Sequence, residues 1–171
     1  MGRKAIYLAS GSFWGMQKYF DSVQGILSTQ VGYANGEGQA PTYVDVIRGD
    51  TGYAQVVCVR FDTDAIALED ILHLYFRVVD PTVESEQPGD SGAQYRSGIF
   101  YAEDEDKPVI DRFISDNQAR YDRQIVTEIA PLRCYYPAEE YHQKYLVKHP
   151  GGYCSIGKID LGYARNYVRG C

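Results

Sequence analysis

Along this chain the spacing of apolar residues switches repeatedly between two periods, and that switching narrows the possible folds more than any other feature. In "QVVCVRF", Val57, Val59 and Phe61 alternate, the pattern of a strand with one buried face, predicted over 55–61. Leu68, Ile71, Leu72, Tyr75 and Val78 then recur at helical spacing, predicting an amphipathic helix over 68–78. The same switching predicts a strand at 5–9, a helix at 15–23 carrying Met16, Tyr19, Phe20 and Val23, and a strand at 29–33. Further on it predicts a strand at 96–101, a helix from 108 to about 121, a strand at 125–129 and a short helix at 138–147. The order is βαβ, βα, βαβ, α. Interleaved but irregular, it fits an α+β two-layer sandwich with a mixed sheet better than a doubly wound parallel sheet. From about 151 onward the chain is spaced by glycines and is expected to form a flexible coil tail. At 171 residues it is expected to be a single domain.

Composition excludes several function classes. The formal net charge is −6 with Lys and Arg scattered, whereas nucleic-acid binding needs a clustered basic footprint. Apolar runs are all too short to span a membrane, and "MGRKAIYLAS" lacks the apolar core of a signal peptide, so a cytoplasmic location is expected. Ile6 stands where a myristoylation signal has Ser or Thr. The cysteines Cys58, Cys134, Cys154 and Cys171 form no CxxC pair, and His73, His142 and His149 have no metal-ligand spacing with them. Neither a metal nor a cofactor is therefore expected. Cys58, inside a strand, and Cys134 read as structural. A monomer is expected, since nothing in the chain suggests otherwise.

Chemistry is concentrated near the N-terminus, in "GSFWG". Ser12 falls where the first strand turns into the first helix. A serine there is an ordinary N-cap. It is not a nucleophile elbow, because Ser10 occupies the position that G-x-S-x-G gives to glycine. The place suits a different nucleophile: a cysteine at a helix N-terminus has its thiolate stabilised by free N–H groups and the helix dipole. Two long polar loops, "ANGEGQAPTYVDV" and "DPTVESEQPGDSGAQY", are more consistent with function than with idle connection.

"GSFWG", "GYANG", "PTYVDV", "GDTGYAQVV", "FRVVDPT", "GDSGAQYRSGIFY", "AEEYHQKYL" and "GGYCSIG", in that order and from about residue 7 to 157, resemble the pattern of the peptide methionine sulfoxide reductase A family. The resemblance implies an α+β sandwich with a mobile C-terminal tail. It also implies a reaction: a cysteine attacks the sulfur of methionine S-sulfoxide and becomes a sulfenic acid, a tail cysteine condenses with it to a disulfide, and a thioredoxin-like reductant resets the pair. Ser12 then occupies the nucleophile's position. Phe13 and Trp14 would hold the substrate methyl group, although an aromatic pair opening a helix is commonly plain core. Tyr43 and Tyr95 would hydrogen-bond the sulfoxide oxygen, or else simply line loops. Gln55 stands where the family has the proton-donating glutamate. Asp90 would support the site through a water, and is otherwise a turn residue between glycines. Cys154 matches the resolving cysteine. Cys171 lies further along than a second recycling cysteine should, and fits a chance terminal cysteine equally well.

The chain departs from the family at two chemical positions. Ser12 offers an alcohol, a far weaker acid than a thiol, which cannot form a sulfenic acid or a disulfide. Gln55 offers an amide, which donates a hydrogen bond but delivers no proton. Both replacements keep shape and remove reactivity. Together they imply an engineered, inactivated form of an ordinary reductase, with selenocysteine as another native residue for position 12. The alternative is a natural, non-catalytic binder of oxidised methionine. A serine hydrolase at Ser12 has no legible triad.

Overall fold

The computed structural model describes residues 2–83, 86–87, 90–91 and 93–170. In chain order the elements are β1 Arg3–Ala9, α1 Phe13–Asp21, β2 Ile26–Ala34, α2 Tyr43–Ile47, β3 Ala54–Asp62, α3 Leu68–Val78, the short pair β4 Glu86–Gln87 and β5 Asp90–Ser91, β6 Gly98–Tyr101, α4 Asp106–Asn117, β7 Glu128–Pro131, β8 Tyr135–Pro137, α5 Tyr145–Lys148 and α6 Lys158–Arg165. The main sheet has the order β7-β6-β1-β3-β2-β8. It is mixed: β6 and β7 run parallel, and the other neighbours are antiparallel.

The period-two pattern decides which side chains meet the helices. Ile6 and Leu8 of β1, Val57, Val59 and Phe61 of β3, and Ile99 and Tyr101 of β6 form one core with Met16, Tyr19 and Phe20 of α1 and Leu68, Ile71, Leu72 and Tyr75 of α3. The alternate residues Tyr7, Ala9, Val56, Cys58 and Phe100 form a second core on the opposite face. That face is closed by its own side chains and by Ala130, Leu132 and Tyr135, with the Tyr7 and Tyr135 rings edge to face at 4.9 Å. Cys58 is fully buried there, as its mid-strand position implies. Gln55 shares the parity of Val57 and Val59, so its side chain projects on the helical face, where α1 begins.

Tyr75 links the helical layer to the end of β1. Its buried hydroxyl donates to the Ala9 carbonyl and accepts from Gly98 N–H at 3.1 Å. This secures the backbone immediately before the turn that leads into α1.

Several segments differ from the sequence-based expectation: β7 begins at Glu128 rather than 125, and β8 and the short β4–β5 pair form where no strand is expected. The loop at 34–46 contains α2, started by a capping box in which the Thr42 hydroxyl accepts from Asp45 N–H at 3.2 Å and the Asp45 carboxylate accepts from Thr42 N–H at 2.9 Å. The expected helix at 138–147 is broken: a 3-10 turn spans Glu140–His142, Lys144 is left-handed, and α5 begins only at Tyr145. The tail, expected as coil, carries helix α6. Ala164 and Tyr167 are buried against the core, the Arg77 guanidinium lies 3.7 Å from the Tyr163 ring centre and pairs with Asp160 at 3.0 Å, and the Tyr167 hydroxyl donates to Asp70 at 2.7 Å. Helical order in this glycine-spaced segment comes from docking on α1 and α3 rather than from its own propensity.

Candidate active site

Gly11 turns the chain from β1 into α1 with φ +50°, in the left-handed region, while its N–H donates to the Tyr95 carbonyl at 3.2 Å. One bond therefore brings the 93–97 loop beside the helix start. Ser12 follows as the N-cap, its hydroxyl accepting from Trp14 N–H at 3.4 Å. The next free helix donor, Phe13 N–H, points to Gln55 Oε1 at 3.5 Å. That contact orients the amide, so Oε1 faces the helix and Nε2 faces away. Gln55 is 1% exposed, and its Nε2 has no hydrogen-bond partner among the described residues. An unsatisfied buried donor costs about 1–3 kcal/mol, which marks this atom as poised for an acceptor.

Around this point stands an aromatic wall. Phe13 is buried, with Tyr33 at 5.9 Å, His142 at 5.6 Å and Tyr43 at 6.2 Å between ring centres. Trp14 is half-buried and lies flat on Tyr145, 3.8 Å away and 11° from parallel. Its indole N–H donates to His142 Nδ1 at 3.1 Å, and His142 in turn stacks on Tyr43 at 4.2 Å. The Glu139 carboxylate ties this group down, accepting from the Tyr33 hydroxyl at 2.7 Å and from Tyr43 N–H at 2.9 Å. Burial opposes the charge of Glu139, but these hydrogen bonds outweigh it and hold the carboxyl below its usual range.

No sequence motif assigns Glu139, His142 or Tyr145 a role of its own. The signal was present in "AEEYHQKYL", with His142 and Tyr145 three residues apart. Their meeting with Trp14, more than a hundred residues away, has no local trace.

Burial pushes the His142 imidazole below its ordinary range, against the opposing pull of Glu139. The ring is neutral at pH 7, with Nδ1 accepting from Trp14 and the proton on Nε2. Folding favours the neutral form. This contribution is therefore complete above the ordinary imidazole value of about 6.5 and is lost as pH falls through the depressed folded value. Trp14 is the only tryptophan, so its emission is expected to stay constant from about pH 8 to about pH 7 and to change as the medium is acidified through the depressed value of His142. Emission unchanged in acid would show that the Trp14–His142 bond does not hold the indole.

The remaining expected residues are placed as follows. Tyr43 opens α2 within the wall, and Tyr95 is half-buried beside Gly11. Cys154 is half-buried, its thiol donating to the Ile156 carbonyl at 3.3 Å. A Cβ at Gly15 would stand 3.6 Å from Cys154 Sγ and 3.1 Å from Ser155 Oγ. The tail thus packs against the first turn of α1, three residues beyond Ser12. Cys134 is half-buried beside Tyr53, in the same packed cluster as Phe13 and Tyr33. The Asp90 side chain and Cys171 lie outside the described residues. Gly170, which precedes Cys171, donates to Asp70 at 3.2 Å, and Arg169 bonds the Asp64 carbonyl at 3.0 Å. This is the end of the sheet where β1 begins, since Thr63 N–H bonds the Gly2 carbonyl at 3.0 Å. Ser12 lies beyond the other end of β1.

The family model described as peptide methionine sulfoxide reductase matches residues 4–165. The chain belongs to this family. A peptide methionine sulfoxide reductase MsrA of Lachnoclostridium phytofermentans is 46% identical over 163 residues, covering 95% of this chain and 98% of the relative. Mxr1 from Saccharomyces cerevisiae in reduced form superposes with a TM-score of 0.85 at 36% identity, over 98% of this chain and 92% of that one. Mxr1 in complex with Trx2 superposes with a TM-score of 0.60 at 29% identity, over 84% of each chain. No helix among the described residues is long and apolar enough to cross a membrane.

Proposed function

We propose that this chain binds the S epimer of methionine sulfoxide, free or within a polypeptide, at the start of α1, and that the family's reductive step is silenced at Ser12 and Gln55. One observation carries the reading: the wall of Phe13, Trp14, Tyr43 and His142 is assembled at the helix start that Ser12 caps. The substrate methyl group lies against Phe13 and Trp14. The sulfoxide oxygen faces the hydroxyls of Tyr43 and Tyr95 and the Gln55 amide, whose buried Nε2 has no hydrogen-bond partner among the described residues, and the sulfur faces residue 12. Three different substituents meet three different surfaces, so one epimer fits.

With a thiol at position 12, the thiolate attacks sulfur, a proton donor neutralises the leaving oxygen, and the oxygen passes to the thiol as a sulfenic acid while methionine is released. Condensation with the Cys154 thiol then forms a disulfide and expels water, and a thioredoxin-like dithiol reduces that disulfide. The packing of Cys154 against Gly15 and the Trx2 complex of the yeast relative support this sequence of events. A hydroxyl at position 12 supplies neither the nucleophile nor the sulfur that must carry the oxygen.

The test is titration with a methionine S-sulfoxide peptide in the presence of dithiothreitol, following Trp14 emission and product mass together. Saturable binding of the S epimer without methionine formation is expected. Turnover by the unaltered chain, or an equal response to the R epimer, overturns the reading.

A further inference from the structure

Strand β8 pairs with β2 only across Gly32, Tyr33 and Ala34. The next residue, Val31, would present an unpaired N–H and a partly used carbonyl at the sheet edge. A side chain completes that ladder. Val31 N–H donates to Gln143 Oε1 at 3.0 Å, and Gln143 Nε2 donates to the Val31 carbonyl at 2.8 Å and to the Ala138 carbonyl at 3.0 Å. The carboxamide acts as one more peptide unit beyond the end of β8. Only a neutral amide offers donor and acceptor together in this way.

The following residue is pinned as well. Lys144 is left-handed, φ 55° and ψ 36°, a conformation rare for a residue with a Cβ. Its N–H donates to Gln17 Oε1 at 2.7 Å, and its ammonium reaches Asp21 at 2.5 Å and Thr29 Oγ1 at 3.2 Å. Residues 143 and 144 are thus fastened to β2 and α1. The residues on either side of them, His142 and Tyr145, both grip Trp14, one by the indole N–H and one by stacking. The kink between them breaks the helix, and the two anchors hold it.

We infer that Gln143 is a positioning residue: its side chain, inserted as a strand surrogate at Val31, sets the His142–Trp14–Tyr145 stack and thereby the wall that receives the substrate methyl group. The inference rests on the proposed binding site for its functional consequence, but the stack itself is read independently of any ligand.

Gln143→Leu removes all three amide bonds, and Gln143→Glu keeps only an acceptor while placing a carboxylate against two carbonyls. Tyr135→Phe is the control; it removes a bond of 2.8 Å to Gln30 from the same strand β8 and leaves the stack alone. Each protein is compared for thermal midpoint, Trp14 emission and affinity for the methionine S-sulfoxide peptide. Both Gln143 variants are expected to shift Trp14 emission to longer wavelength and to weaken the peptide roughly tenfold, the scale of a misplaced binding group. Tyr135→Phe is expected to move the midpoint only. If Gln143→Leu does not fold, Gln143→Glu decides. A folded Gln143 variant with unaltered emission and affinity overturns the inference, as does an equal loss in Tyr135→Phe. Failure of the unaltered chain to bind the peptide overturns the proposed function instead, and the emission comparison still decides the role of Gln143.

Discussion

Replacing Ser12 with Cys and Gln55 with Glu together is expected to start reductase turnover in a chain proposed to bind the sulfoxide without reducing it. The two changes supply different things. A cysteine at the N-cap of α1 sits where free N–H groups and the helix dipole favour its thiolate. It caps less well than serine, at a cost of about 1 kcal/mol. Ser12→Cys alone should therefore give slow, dithiothreitol-driven turnover with solvent as the proton source. A buried glutamate at position 55 retains its proton more readily than an exposed one. Adding it should raise the rate a further 10²–10⁴-fold or so, the usual contribution of a positioned general acid. Product mass against time for the single and double variants separates the two effects. A folded double variant that binds the S-sulfoxide peptide and produces no methionine would sink the assignment of residue 12 as the nucleophile's seat.

Gly32→Ala is expected to be strongly destabilising. A Cβ at that position would stand 2.4 Å from Tyr135 Cε1 and 2.6 Å from the Tyr136 carbonyl oxygen. One obstacle is backbone, so the strand itself must move. Prising β8 from β2 combines overpacking, about 1–3 kcal/mol, with weakened ladder bonds of about 1 kcal/mol each, and a total of roughly 3 kcal/mol is expected. The segment that follows β8 carries Glu139, His142, Gln143 and Tyr145, so sulfoxide affinity should fall with stability. Gly15→Ala is the comparison. There the Cβ approaches Ser155 Oγ at 3.1 Å, the end of a flexible side chain, and the helix-propensity gain of about 1 kcal/mol from Gly to Ala offsets that contact, so no loss beyond about 1 kcal/mol is expected. Urea denaturation measures both. Equal midpoints for Gly32→Ala and the unaltered chain would show that the glycine in "GYANG" is not required by the strand packed over it.

Much of this protein follows from the order of its residues alone. The alternation of Val57, Val59 and Phe61 and the stripe from Leu68 to Val78 determine strand β3 and helix α3, because each buries a face whose period the backbone imposes. The same parity carries Gln55 to the helical side, and "GSFWG" places Ser12 at the start of α1. Family membership, too, is written in motifs spread along most of the chain. Only the tertiary structure decided the rest. Helix α6 is ordered by Arg77, Asp70 and the core beneath it, none of which lies in its own segment. The break at Lys144 runs against the preference of its residue type and stands because Gln17 and Asp21 hold it from α1. Trp14 meets His142 and Tyr145 only when β8 docks on β2. Local periodicity records which face a side chain takes. It holds no record of which distant face it will meet, since that is settled by burial and hydrogen-bond satisfaction across the whole domain.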